Sequence, residues 1–399
     1  MVEHLAGADR LRVLYSFPHP LGGPGIGTAA LHQVRGLTDR GVEVTVYCTS
    51  LSLPVPGSAR VIETMAVAGR RIPHRAFGTD RAYRYHDERV AFALRRSPDR
   101  YDVVHAWPLA AASTFRAASE IGVAGLRESP NAYTAVAYRL AADEAARLGV
   151  ALPRGASHRF DQQRLAREEA EFDAAAAVLV PSEFVERSFS QRPGPTVRTL
   201  RHRYGFDPAR FPRPDEARPD RPFTVAFVGT GEPRKGLHYA LEAWHASGVA
   251  EHGARFIVSG RIVPDYLRVI AGALDHPSVE VRPFTDDVGA LLRDTDALVL
   301  PSVEEGSALV TYEAQASGCA LLVSDATGAV ATDGVHGFVH RAGDVAALTG
   351  HLQLLAGDAA LRIRIRSQVL AHRDELTWAC AAAWLESAYR DARGPSPTG

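Results

Sequence analysis

Pro301-Ser302-Val303-Glu304-Glu305-Gly306-Ser307-Ala308-Leu309-Val310-Thr311-Tyr312-Glu313-Ala314-Gln315-Ala316-Ser317-Gly318-Cys319-Ala320 is the stretch that decides the fold. It follows the apolar run Ala297 to Leu300, passes through Gly306-Ser307, and takes up helical spacing that stops at Gly318. Four apolar residues without polar alternation predict a strand covered on both faces, as in a parallel sheet flanked by helices. The amides that open the following helix suit hydroxyl or phosphate oxygens. Glu305 and Glu313 can each accept a pair of hydroxyl protons through charge-assisted bonds, so the segment reads as strand, ligand loop and helix.

The same rhythm extends outward in both directions. Upstream lie a strand over Phe223–Val228, a Gly-rich loop, a helix over Leu237–Ala246, strands over Arg255–Val258 and Val279–Pro283, and a helix over Val288–Arg293. The first half opens with a strand over Leu11–Phe17, a Gly/Pro loop, a helix over Thr28–Arg40 and a strand over Val42–Cys48. Val103–Trp107 and Ala176–Val180 read as further strands, with helices over Ala135–Leu148 and Asp161–Phe172. Between the halves, residues 191–222 are dense in proline and charge without periodicity. The prediction is an α/β chain of two Rossmann-like, doubly wound domains facing a cleft, with ligands outside the carboxyl ends of the strands. Residues 1–200 form the first domain, 201–222 a linker and 223–377 the second, and a helix over 378–393 is expected to pack back on the first. The tail Gly394–Gly399 has the composition of a disordered terminus.

Composition narrows the function classes. The chain has 399 residues, 46% hydrophobic and 23% charged, with a formal net charge of −1. That balance argues against general affinity for nucleic acid or anionic membrane. Cys48, Cys319 and Cys380 are far apart and form no C-x-x-C pair, against a disulfide framework or zinc site. Residues ahead of the first strand include Glu3 and Asp9 and no basic leader, and no stretch approaches membrane-spanning length. The expected location is cytoplasmic, and no cofactor or metal is expected. The 16 histidines show no H-E-x-x-H spacing and no G-x-S-x-G elbow occurs, which removes metalloprotease and triad hydrolase readings.

Lysine occurs once, at Lys235, against a Lys plus Arg total of 45. A site that keeps lysine in so arginine-rich a chain needs a compact ammonium, the form suited to a phosphate point contact. Lys235 sits in Gly229-Thr230-Gly231-Glu232-Pro233-Arg234-Lys235-Gly236, a turn between strand and helix. Gly25-Ile26-Gly27-Thr28-Ala29-Ala30 satisfies G-x-G-x-x-A. A dinucleotide site is disfavoured there, because several loop residues follow Phe17 and the next strand ends Tyr47-Cys48-Thr49 without an acid for a ribose. Asp294-Thr295-Asp296 is a D-x-D triplet read as a helix end and turn. Leu361-Arg362-Ile363-Arg364-Ile365-Arg366 is read as a packed helix with one solvated face, and membrane contact is not expected.

Three of these motifs carry a family resemblance. Glu305 to Glu313 within Pro-Ser-x-x-Glu-Gly…Glu-Ala…Ala-x-Gly resembles the E-x7-E motif of retaining glycosyltransferases of the GT-B fold, family 4 type. Phe227-Val228-Gly229 with Arg234-Lys235-Gly236 resembles that family's diphosphate-binding turn, and Tyr204-Gly205-Phe206-Asp207 with Phe211 its interdomain segment. The resemblance implies that Arg234 and Lys235 neutralise the donor diphosphate and that Glu313 holds the nucleotide ribose. It implies that Glu305 holds donor sugar hydroxyls, with amides from Gly306, Ser307 and Ala308, and with Glu304 as an adjacent rival. Gly229 belongs to the diphosphate turn, and Gly25 and Gly27 align with the family's N-domain glycine loop.

The chain departs from the family where many members place a histidine after an N-domain strand, for here the segment reads Arg127-Glu128-Ser129-Pro130-Asn131. Glu128 and Asn131 are left as candidates for donor or acceptor contacts, and His105 resembles a strand-end histidine of structural rather than catalytic use. The implied activity is transfer of a hexose-type sugar from a UDP- or GDP-sugar to a hydroxyl or amine of a small-molecule or glycan acceptor, with retention. Arginine richness suggests a GC-rich bacterial genome and specialised metabolism. The alternatives are a GT-B nucleotide-sugar epimerase or phosphorylase-like enzyme, and an inactive nucleotide-sugar-binding protein.

Overall fold

The computed structural model describes residues 10–67, 70–71, 78–153, 155–215, 221–285 and 287–393. The tail Gly394–Gly399, Glu3, Asp9 and Pro219 lie outside the described residues. In the first half, β1 (Arg12–Leu21), α1 (Ile26–Asp39), β2 (Glu43–Leu51) and β3 (Arg60–Glu63) lead to a short ribbon of β4 (Ala66–Val67) and β5 (Arg70–Arg71). Then follow α2 (Thr79–Arg96), β6 (Val103–Ala106), α3 (Ala112–Glu120), β7 (Ala124–Glu128), α4 (Thr134–Arg147), α5 (Gln162–Ala174), β8 (Ala177–Val180), α6 (Glu183–Ser188) and β9 (Thr199–Arg201). The second half runs β10 (Thr224–Val228), α7 (Leu237–Ser247), β11 (Arg255–Ser259), α8 (Pro264–Leu274), β12 (Val279–Arg282), α9 (Val288–Arg293), β13 (Ala297–Leu300), α10 (Leu309–Ala316), β14 (Ala320–Ser324) and β15 (Gly337–His340). It closes with α11 (Val345–Gly357), α12 (Ala359–His372) and α13 (Trp378–Arg393).

Two parallel sheets result, ordered β3-β2-β1-β6-β7-β8-β9 and β12-β11-β10-β13-β14-β15. Both reverse direction beside their first strand, between β1 and β6 and between β10 and β13. Adjacent loops diverge at such a switch point, and the crevice outside the strand ends is where ligands bind. β6, β8, β10, β13 and β14 are buried along their whole length, which is why they read as unbroken apolar runs.

The structure moves several boundaries. β1 continues to Leu21, past the expected end at Phe17, with its pairing to β2 shifting register between Phe17 and Pro20. Pro18 and Pro20 lack the amide hydrogen a regular ladder needs, so the extension read as loop. The turn into α1 is therefore short, contrary to the first argument against a dinucleotide; the second stands, because β2 ends at Leu51 without an acid. The expected linker 201–222 is also corrected at its start. Arg201 ends β9, the edge strand of the first sheet, and Tyr204, Phe206 and Phe211 are buried. Few apolar residues among many prolines concealed that packing.

The two segments that cross between the halves run side by side. Phe206 N–H donates to Leu376 O at 3.0 Å and Trp378 N–H to Phe206 O at 3.2 Å, a parallel bridge. Gly205 permits it, since a Cβ there would stand 2.6 Å from the Thr377 carbonyl carbon. α13 lies on the first half. Gly36 of α1 faces Ala382, where an added Cβ would come within 2.6 Å, and Arg40 pairs with Glu386 at 2.6 Å. The His105 Nδ1 and the Tyr389 hydroxyl are 2.6 Å apart. On α12, Leu361 and Ile365 are buried while Ile363 is 70% exposed, and Arg366 donates to Ser317 O and Gly318 O beyond α10. Asp296 receives Arg221 and the Thr224 amide, so the D-x-D triplet ties β13 to β10.

Candidate active site at the facing strand ends

The diphosphate-type turn starts where β10 ends. Gly229 has φ +144° and its amide donates to Ser259 O at 2.9 Å, continuing the sheet by one residue. Pro233–Lys235 makes one tight helical turn that Gly236 ends at φ +71°. Gly236 admits no side chain: a Cβ would lie 2.2 Å from Pro301 O. The β10 turn is thus pressed onto the β13 loop, and Val303 N–H donates to Arg234 O at 2.8 Å.

That contact brings the sequence-predicted charges together. Arg234 Nη1 donates to Glu304 O at 2.9 Å and lies 3.3 Å from Glu305, while Nη2 meets Glu232 at 2.9 Å. Lys235 Nζ donates to Glu305 Oε1. Burial works against charge on Arg234, and the carboxylates of Glu305, Glu232 and Glu304 outweigh it, holding the guanidinium above its ordinary value. Burial would likewise raise Glu305, but Arg234 and Lys235 depress it to about 2. The cations expected to meet a diphosphate are paired here with the carboxylate expected to meet sugar hydroxyls.

The rest of the β13 loop is less uniform. Glu305 N–H donates to Ala326 O at 3.0 Å and Ala308 N–H to Thr327 O at 3.4 Å, so the Ala308 amide, expected to serve a ligand, is committed within the protein. The Ser307 hydroxyl donates to Gly328 O and lies 2.8 Å from the Tyr312 hydroxyl, fixing the loop instead of pointing a donor outward. Glu313 is half-buried on α10, and burial pushes its carboxyl up to about 7 against the opposing pull of Arg210. Gly25 caps α1 at φ +68° with no side-chain cap, and an added Cβ there meets nothing within 4 Å. Gly27 is buried beside Pro20 O. The glycine loop therefore offers uncapped helix amides at the carboxyl end of β1.

Of the three first-half candidates, only Asn131 borders the second half. Its amide nitrogen would lie 3.1 Å from a Cβ on Gly306. Glu128 is wholly buried: Tyr204 OH donates to it at 2.7 Å, His202 Nε2 lies at 3.0 Å and His105 Nε2 at 3.2 Å. Burial disfavours its charge, but His202 and His105 override this and hold the carboxyl well below the usual range. His105 is equally buried, between Glu128 and Tyr389. Glu128 is therefore corrected from a cleft candidate to a member of a sealed network under β6, β7 and β9, where His105 has the structural place expected of it.

Two residues that join the halves escaped the sequence reading as such. Glu304 is fully buried and accepts Ala132 N–H at 3.2 Å on one oxygen, while His158 Nε2 stands 2.9 Å from the other. His158, between α4 and α5, thus reaches across to the β13 loop. No spacing could have shown this, since the two residues are brought together only by the fold. Glu304 is tied to the first half as well as lying 3.4 Å from Arg234, whereas Glu305 pairs with Arg234 and Lys235. A second clamp joins α4 to α7, where His238 Nε2 lies 2.8 Å from Glu144 and Tyr239 OH donates to Glu144 at 3.0 Å.

Residues 222–358 match the family described as Glycosyl transferases group 1. D-inositol 3-phosphate glycosyltransferase of Corynebacterium glutamicum is 32% identical over 182 residues, 42% of this chain and 43% of that protein. Glycogen synthase of Mycobacterium tuberculosis is 29% identical over 208 residues, 49% and 50% of the two chains. The matches thus span half or less of these curated relatives. Among solved structures, sucrose-phosphate synthase from Thermosynechococcus elongatus superposes with a TM-score of 0.67 at 17% identity, covering 96% of this chain and 99% of that one. Anabaena HepE, solved with UDP and glucose, superposes with a TM-score of 0.63 at 16% identity, covering 95% and 99%. The segment from Pro222 to Asp358 matches the group 1 glycosyl transferases, and the chain that carries it has the GT-B fold.

Proposed function

We propose that the chain is a retaining glycosyltransferase that moves a hexose-type sugar from a UDP- or GDP-sugar to a hydroxyl or amine of a small-molecule or glycan acceptor. The observation that carries this is the meeting of Arg234, Lys235 and Glu305 at the switch point between β10 and β13, with Glu313 on the following helix. On this reading the diphosphate takes Arg234 and Lys235, whose charge stabilises the departing phosphate without need of a metal ion. Glu305, released from the cations, accepts hydroxyls of the sugar, and Glu313 accepts those of the ribose. The bond from the anomeric carbon to phosphate oxygen breaks as a bond to the acceptor forms on the same face, and the departing phosphate takes the acceptor proton. A first-half nucleophile is not invoked, because Glu128 is sealed and two-carboxylate retaining chemistry needs a carboxylate at the sugar. Closure of the halves excludes the water that would hydrolyse the donor. Three free thiols support a reducing, cytoplasmic setting; among the described residues, no helix is long and apolar enough to cross a membrane.

The test is a thermal-shift panel of UDP, GDP, ADP and dTDP on the wild type and Lys235→Ala. A ligand at 100 times its dissociation constant adds about 2.7 kcal/mol of stability. One nucleoside diphosphate should shift the wild type and lose most of its effect in the variant. An unshifted wild type across the panel would remove the anchor of the proposal. NMR of the product from the donor so identified then reads the anomeric configuration, and inversion would refute the mechanism while leaving the activity.

A further inference from the structure

Behind the proposed donor site lies a second cavity of about 590 Å³, within the range of small-molecule sites. Ser182 and Gly328 form the partition between the two: Ser182 OH donates to Gly306 O at 2.6 Å, and a Cβ on Gly328 would stand 2.2 Å from that same oxygen. The cavity is walled by both halves and by α13, through Arg187, Arg201, Arg203, His336, His372 and Trp384. Its acids, Glu183 and Asp325, do not balance its arginines, Arg187, Arg201 and Arg203. Arg187 is taken by Glu183 at 2.6 Å, and Arg201 has only a loose contact with Glu186 at 3.8 Å. Arg203 is half-buried, lies 4.7 Å from the centre of the Trp384 ring, and has no carboxylate or carbonyl acceptor for its guanidinium among the described residues. A half-buried guanidinium without a carboxylate partner can donate a charge-assisted bond to an anion. Trp384 is 47% exposed and offers a flat apolar surface beside it.

We propose that this cavity is a second ligand site, separate from the donor site, which takes a small phosphate-bearing metabolite. Its phosphate meets Arg203 and Arg201, and its sugar or ring lies on Trp384. Because the walls come from both halves, occupation favours the closed arrangement and so tunes the activity of the chain. The proposal stands whether or not the transfer reaction is as described above.

Thermal shift of the full chain is measured with inorganic phosphate and with ribose 5-phosphate, each against sodium chloride of equal ionic strength. A saturable rise is expected, larger for ribose 5-phosphate. It should weaken at least tenfold in Arg203→Gln and in Arg201→Gln and persist in Lys235→Ala. Arg201 is exposed at the rim, so its variant keeps the test valid if Arg203→Gln folds poorly. No saturable shift with either probe, or a shift unchanged in the folded arginine variants, overturns the proposal. Loss in Lys235→Ala with retention in the arginine variants reassigns the binding to the donor site and overturns it equally.

Discussion

Gly306→Ala tests whether the halves must meet for the chain to work. Gly306 is not held at positive φ, so alanine there carries no backbone strain of its own. Its obstacle is the other half of the molecule: the new Cβ would stand 1.6 Å from Pro130 O and 2.5 Å from the carbonyl carbon, where real Cβ atoms essentially never approach below 3.0 Å. The loops must part by roughly 1.5 Å to restore an ordinary contact. That parting stretches three bonds across the cleft: Ser182 to Gly306 O at 2.6 Å, Ala132 N–H to Glu304 at 3.2 Å, and His158 to Glu304 at 2.9 Å. With a neutral bond at about 0.5–1.5 kcal/mol and a charged one at about 1.5–3 kcal/mol, closure loses roughly 3–5 kcal/mol. If turnover requires closure, kcat/KM falls by about 10²- to 10⁴-fold. Melting should change by only a few degrees, since Gly306 lies in a loop outside the strands of either sheet. Small-angle scattering should show a larger radius of gyration than in wild type. Gly272→Ala, with open space around it on α8, serves as the silent control. Wild-type scattering together with wild-type turnover in Gly306→Ala would refute the reasoning.

Glu313→Gln isolates one carboxyl in the pH dependence of stability. Burial pushes Glu313 up to about 7, so between pH 4.5 and 7 the unfolded chain releases a proton that the folded chain keeps. The stability this group contributes is full at low pH and lost as pH rises through 7, so the variant should gain about 1–3 kcal/mol on wild type between pH 4 and pH 8 in urea melts. A gap independent of pH would show that Glu313 is ionised at its ordinary value. Glu128→Ala should cost about 3–5 kcal/mol by leaving His105, His202 and Tyr204 without their acceptor. Turnover per folded molecule should survive; its complete loss, with a covalent sugar trapped on the native chain, would expose a hidden nucleophile. His158→Ala should lower kcat/KM by about tenfold by freeing Glu304 from the first half, with donor-free melting changed little. An unchanged rate would make that contact dispensable.

Much of the fold was legible because parallel strands declare themselves. Ala297–Leu300 is apolar throughout, and its observed bounds match the predicted ones. β7 was harder, since Arg127 and Glu128 end it with charges that are satisfied only in three dimensions. β9 hid among prolines, and α2 carries so many charges that its apolar stripe of Tyr83, Val90 and Leu94 is thin. At the site, Arg234, Lys235 and Glu305 were readable from residue type and place on strand ends. Which way each of two neighbouring carboxylates turns was not: Glu304 and Glu305 are adjacent and both buried, yet one reaches the opposite half and the other pairs with Lys235. Position along a loop does not fix that choice; the approach of a second loop from far away in sequence does.

The return of α13 to the first half bears on how the chain is made. Gly36 and His105 find their partners in Ala382 and Tyr389, which emerge from the ribosome only after the whole second half. The first sheet can form early, but one flank of it, with His105 and Glu128 beneath, stays uncovered while the whole second half is synthesised. Truncation at residue 377 should therefore leave an N-terminal fragment that exposes apolar surface and aggregates, although every strand of its sheet is present. The sixteen residues of α13 thus complete a unit whose strands all precede the second half.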